Sequence, residues 1–267
     1  MHRVGLASSA EIEADLSKLD LLDKALNISD ICELIIFDIS EDDERWRDVE
    51  RIIKKYGASD ITTTKFTAKE KREAKYLRMV STWHHGYPEP AIDNQFINVT
   101  YNTSNYCPTC GVGLIQKDSF RFNKEPAWGK KEVLQVNWVF DDFFVKPSTY
   151  KKIFQPFEVE ALPVLNHKTG KPLKSVVQLK IAESVALKMD NHDSNTCSSC
   201  GAVKYLPVVR GFFPALTSNM KEGSHLAIST VYFGSGCDAH KAVIVSNKLF
   251  KTLTNEKVKG IDFIPLN

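Results

Sequence analysis

Apolar residues recur at helical spacing near the start of the chain. Ile12, Leu16, Leu19, Leu22 and Leu26 share one face, with acids early and lysines later, which predicts an amphipathic helix over about Ser9 to Leu26. The apolar run Leu34 to Phe37 predicts a short strand, and Ser40-Glu41-Asp42-Asp43 after it has the makings of a capping box. The helix expected from there carries Trp46, Val49, Ile53 and Tyr56 on one face and ends at Gly57, a left-handed cap. Ile61 to Thr64 reads as a strand, and Thr67-Ala68-Lys69-Glu70 opens another helix through a second capping box. Beyond Phe96 the period shortens to two. Phe96 to Tyr101, Val133 to Phe140 and Val176 to Ile181 alternate as strands, the last after a Lys168 to Pro172 turn.

These patterns divide the chain at Gly86-Tyr87-Pro88-Glu89-Pro90, where two prolines break regular structure. The expected fold class is α+β: an N-terminal α/β region over residues 1–85, then a sheet-rich module with inserted helices over 86–267.

Two cysteine knuckles organise the second part, Cys107-Pro108-Thr109-Cys110-Gly111 and Cys197-Ser198-Ser199-Cys200-Gly201, with 86 residues between Cys110 and Cys197. Thiolates separated by two residues can grip one ion from a tight turn, and the following glycine tolerates the positive φ that aims backbone N–H groups at the sulfurs. Two such pairs supply the four ligands of a closed tetrahedral zinc site, so Cys107, Cys110, Cys197 and Cys200 are the expected ligands of one structural zinc ion. Two unrelated thiol or redox pairs are the alternative, since the separation exceeds that of a compact zinc ribbon.

The knuckles also head an internal repeat. After the first come a strand from Leu134, the segment Phe144 to Ile153, and Val159-Glu160-Ala161-Leu162-Pro163-Val164; after the second come a strand from Leu226, Ile244 to Leu253, and Ile261-Asp262-Phe263-Ile264-Pro265-Leu266. Each copy reads as knuckle, strand, helix and strand, so a shared zinc would staple two units together. The second copy has the longer loop, Gly234 to His240. Its glycines and the neighbouring Tyr232 and Phe233 mark it as the expected partner contact.

On CPTCG, CSSCG and the two strand-helix-strand endings, residues 97–267 resemble the bacterial double-CXXCG motif proteins, to which the immunity proteins of a myxobacterial contact-dependent exclusion system belong. The resemblance implies a toxin-neutralising role and carries over only the four knuckle cysteines. The N-terminal region lies outside it.

Charge narrows little, because 35 basic and 33 acidic residues nearly cancel. No apolar run approaches the ~18 residues of a transmembrane helix, and Met1-His2-Arg3 leads into mixed sequence without a signal-peptide core, so a cytoplasmic protein without membrane contact is expected. Cys32 and Cys237 remain outside the knuckles as thiols. A protein-binding module with a protein partner, a toxin on the resemblance, is the first functional reading. A nucleic-acid-associated zinc protein is the second: Lys65, Lys69, Lys71, Arg72, Lys75 and Arg78 form a basic helix, and Lys124, Lys130 and Lys131 flank a Trp128 placed to stack a base. An enzyme of unrecognised type is the third, but no phosphate loop, HExxH or GxSxG occurs, and Cys237 with His240, or the His84-His85 pair, are weak candidates for chemistry. The expected protein is therefore not an enzyme.

Overall fold

The computed structural model describes residues 1–22 and 34–267, with the backbone alone at 26–27. Cys32 lies outside the described residues. The chain forms two compact units, Met1–Lys65 with Val208–Gly211, and Phe66–Pro207 with Phe212–Asn267. Both mix helix and strand, and the whole is sheet-rich.

The first unit is a four-stranded antiparallel sheet in the order Leu26–Asn27, Leu34–Ile39, His2–Ala7, Ser59–Thr62. Alternation along His2–Ala7 turns Val4 and Leu6 inward. There they meet Ile35, Phe37 and Ile39, and beneath them Leu16, Val49 and Ile52 of helices Ala10–Ser17 and Trp46–Tyr56. The first helix is shorter than its periodicity implies. Leu19 and Leu21 donate N–H bonds to the Leu16 carbonyl and Asp20 takes φ +50, so the later leucines join this core from a turn. The second helix starts at Trp46, later than Ser40, because the Asp43 carboxylate turns to the Arg45 N–H at 3.0 Å and to its guanidinium. Gly57 closes it at φ +64. The acidic stretch is locally paired, with Asp38 on Arg3, Glu41 on His2 and Asp48 on Arg51.

The second unit holds two main sheets. One runs Arg121–Phe122, Glu160–Asn166, Pro172–Lys180, Val139–Val145, Val133–Val136. The other runs Ser194–Thr196, Val203–Tyr205, Leu226–Phe233, His240–Ser246, Tyr76–Ser81, Ile261–Pro265, with Glu183–Val185 also on Leu226–Phe233. Their facing residues, including Val133, Phe143 and Val145 from the first and Leu77, Met79, Val243 and Val245 from the second, form one core. Helical turns over Pro147–Phe157 and the helix Asn247–Asn255 contribute Phe154, Leu249 and Phe250 to it.

The division between units falls before Phe66, not at Gly86. Tyr76–Ser81 is hydrogen-bonded between His240–Ser246 and Ile261–Pro265, a pairing across more than half the chain that local pattern does not reveal. The Thr67 box does form, with Glu70 N–H on Thr67 Oγ1 and the Glu70 carboxylate on Thr67 N–H, and caps helix Ala68–Glu73. Phe96 to Tyr101 is chiefly the helix Phe96–Thr100. No helix among the described residues is long and apolar enough to cross a membrane.

Candidate metal centre

Each knuckle is the turn of a hairpin. Tyr101–Asn102 pairs with Ile115–Gln116 around the first, and Ser194–Thr196 pairs with Val203–Tyr205 around the second, where Thr196 faces Val203. The turns close alike. Cys107 N–H donates to Val112 O at 2.9 Å and Gly111 N–H to Cys107 O at 2.7 Å; Cys197 N–H donates to Ala202 O and Gly201 N–H to Cys197 O, both at 2.9 Å. Gly111 and Gly201 take φ +81 and +73. At Gly111 space matters too, because a Cβ there would collide with the Cys237 carbonyl oxygen.

This geometry brings four distant sulfurs together. The Sγ atoms of Cys107, Cys110, Cys197 and Cys200 all lie within 4.8 Å of one another, with Cys107 to Cys197 at 3.9 Å and Cys110 to Cys200 at 3.6 Å. Four thiolates at ~2.3 Å from a tetrahedral ion would stand ~3.8 Å apart, whereas a disulfide needs ~2.05 Å. The spacing therefore suits one ion and not a bond between sulfurs. Ser199 Oγ donates to Thr109 Oγ1 at 3.1 Å, joining the tips of the two turns.

The turns also prepare the charge. N–H groups of Cys110, aimed back along the turn, hold the Cys107 thiol below its ordinary value, and those of Cys200 and Ser199 bring the Cys197 thiol down to about 6. Burial pushes the Cys110 thiol up. At Cys200 the Ala202 N–H pulls downward, but burial and the three neighbouring sulfurs outweigh it and push the thiol up to about 12. One thiolate is favoured in each knuckle, and a cation would draw the proton from the other pair.

The residue that sequence reasoning missed is Lys204. It lies just after the second knuckle and is only 5% exposed. Its ammonium donates to three backbone carbonyls, Cys110 O at 2.8 Å, Gly236 O at 2.7 Å and Asp238 O at 2.6 Å. All three donors of the group are thus used, and one buried cation ties the second knuckle's hairpin to the first knuckle and to the loop before His240. The only sequence signal is a lysine in a strand directly after a knuckle.

Other expected site residues fare differently. The loop Gly234 to His240 is held by Lys204 through the Gly236 and Asp238 carbonyls. Of its expected aromatic anchors, Phe233 is a core residue at 1% exposure while Tyr232 is half-buried; Ser235 to Cys237 at the tip are exposed. Trp128 is buried and its indole N–H donates to Ser175 O at 3.0 Å, which leaves no open face for a base. The basic helix is broken up: Lys71 pairs with Asp262, Lys75 bonds Asn219, and Arg78 sits on a strand. No hydrogen bond joins Cys237 to His240. His84 and His85 form no part of a metal cluster: among the described residues the four cysteines are the only such group.

No protein-family model matches the chain, and no curated protein matches it significantly.

Proposed function

We propose that the chain is a protein-binding module stapled by one zinc ion, held by Cys107, Cys110, Cys197 and Cys200. The four-sulfur cluster carries the reading. Soft thiolates at tetrahedral spacing suit zinc, and a set closed by four protein ligands leaves no position for a substrate, so the ion's contribution is folding free energy.

The two halves of the second unit are, on this reading, two copies of one unit. Its support is the register: Val177 stands opposite both Val145 and Pro163, and Leu77 opposite both Val245 and Pro265. Tyr76–Ser81, which precedes the first knuckle, therefore fills the place in the second sheet that Pro172–Lys180, which precedes the second knuckle, fills in the first. Each copy lends a strand to the other's sheet, and the ion fastens the exchanged halves.

Protein binding is favoured over nucleic acid because Trp128 is buried and the basic residues Lys71, Lys75 and Arg78 do not share one helix face; a surface aromatic pair then offers the anchor. Trp138 is 48% exposed, holds a left-handed φ of +68, and packs at 4.3 Å on Tyr87, which is 46% exposed. A bulky side chain kept in that backbone region at the surface marks a constrained site, and Trp and Tyr are the residues that anchor protein interfaces. Toxin neutralisation is the role the double-CXXCG resemblance attaches to such a module. The test is affinity capture from host cells with wild type and Trp138→Ala. A protein retained at high salt by wild type and lost by the variant, whose toxicity co-expression of the chain suppresses, supports the reading. Recovery of nucleic acid with steep salt dependence would overturn it.

A further inference from the structure

Strands Tyr76–Ser81 and His240–Ser246 stay in register only as far as Met79 opposite Val243. Past that pair a cleft of about 320 Å³ lies between them, lined among others by Arg78, Ser81, His84, Gln135, Phe140 and His240. Three polar groups there make no side-chain hydrogen bond, two of them with a fully buried nitrogen. Gln135 is 4% exposed and its amide nitrogen makes no hydrogen bond. His240 Nδ1 is buried without a hydrogen bond, its nearest carboxylate oxygen being Asp238 Oδ2 at 3.5 Å. Arg78 has no ion pair, and its guanidinium packs 4.8 Å from the centre of the Phe213 ring. Buried donors are seldom left unsatisfied, because stripping their water costs free energy that only a partner returns.

The other sheet indicates what that partner is. Gln178 stands opposite Phe144 as Arg78 stands opposite Ile244, each one residue along from the matched pairs Val177 with Val145 and Leu77 with Val245. Gln178 Nε2 donates to Asp142 Oδ1 at 2.8 Å, and Asp142 lies two residues before Phe144. Two residues before Ile244 is Ala242. The first sheet carries its own carboxylate; the second offers a methyl group and a longer, charged donor.

We propose that this cleft binds a carboxylate, taken by Arg78 with Gln135 and His240 in place of the acid that the first sheet supplies internally. Lys241 adds a second positive charge at the cleft; the acids beside it are Asp238, whose side chain is 45% exposed, and Asp141, whose carboxyl accepts the Lys241 backbone N–H at 3.1 Å and is not among the lining residues. Met79, Val243 and Phe140 form apolar walls that suit a short aliphatic stem. Such a carboxylate has two sources, a free short-chain acid or an acidic side chain of a docked protein. The choice of a carboxylate rests on the two-copy reading above, while the zinc and partner readings do not enter it.

The experiment is a titration of the isotopically labelled, folded chain with sodium propionate and with N-acetyl-glutamate methylamide, following the Arg78 Nε–H and His240 ring signals by NMR. Sodium chloride and inorganic phosphate serve as comparisons. Saturable shifts with carboxylate and none with chloride are expected. Arg78→Gln, which installs the residue of the first sheet, should weaken binding by roughly tenfold or more, as loss of a charge-assisted contact implies, while zinc content stays unchanged. Equal binding of the blocked glutamate points to a docked side chain, and binding of propionate alone to a free acid; either supports the proposal. Absence of saturable shifts in wild type, undiminished binding by a folded Arg78→Gln, or tighter binding of phosphate than of propionate would overturn it.

Discussion

Replacing Lys204 with methionine removes a buried ammonium while keeping most of its aliphatic volume. The structure sets the magnitude. Three hydrogen bonds of 2.6 to 2.8 Å to the carbonyls of Cys110, Gly236 and Asp238 are lost together, and the acceptors stay partly or wholly out of water. Bonds to a charged group contribute about 1.5–3 kcal/mol each, and the ammonium's own desolvation, relieved in the variant, offsets part of that. A net loss of about 3–5 kcal/mol is expected. Urea unfolding of the zinc-loaded protein measures it, with Lys168→Met, at an exposed position, as the control for losing a lysine. Because the Cys110 carbonyl belongs to a knuckle, Lys204→Met should also give up its metal to a competing chelator faster than wild type. A loss below about 1 kcal/mol with unchanged metal release would refute the idea that this cation holds the knuckles and loop together.

Cys107→Ser and Cys197→Ser should destabilise the second unit alike and abolish stoichiometric zinc, read by elemental analysis and thermal melting, since either removes a ligand from the same ion. Gly111→Ala should cost clearly more than Gly201→Ala in urea unfolding: both glycines have positive φ, costing about 1–2 kcal/mol for a side chain, but only Gly111 faces the Cys237 carbonyl. Asp142 is raised to about 7 by burial and by the neighbouring Asp141. A carboxyl raised above its unfolded value of about 3.9 favours folding most below that value and loses the benefit as pH rises to about 7. Asp142→Asn, still able to meet Gln178, should therefore gain stability relative to wild type between about pH 4 and 7, as measured by unfolding at each pH.

The clustering of the four cysteines was legible because a knuckle is a local object. Two cysteines, the turn between them and the glycine after them are all written within five residues, and the second knuckle supplied the count of four. Lys204 was not legible, because its three acceptors come from Cys110, Gly236 and Asp238 and are backbone atoms, so no residue type announces them. Arg78 read as part of a basic helical face because the lysines before it share its charge. Its place on a strand depends on pairing with Ile244 and Ile264, far along the chain. The same non-local pairing moved the boundary between units from Gly86 to before Phe66. At Trp128 the flanking lysines suggested an exposed ring, whereas one hydrogen bond to Ser175 O and burial beside Trp83 hold it in the core. Helices with a cap and a period, such as Trp46–Tyr56, survived apart from their first turn.

Zinc K-edge X-ray absorption on the purified, reduced protein, with the ion counted in the same sample, tests the central claim most directly. One zinc per chain with four sulfur neighbours at about 2.3 Å is the predicted result. Nitrogen or oxygen in the first coordination sphere, two ions per chain, or no bound zinc would contradict a single site shared by the two knuckles.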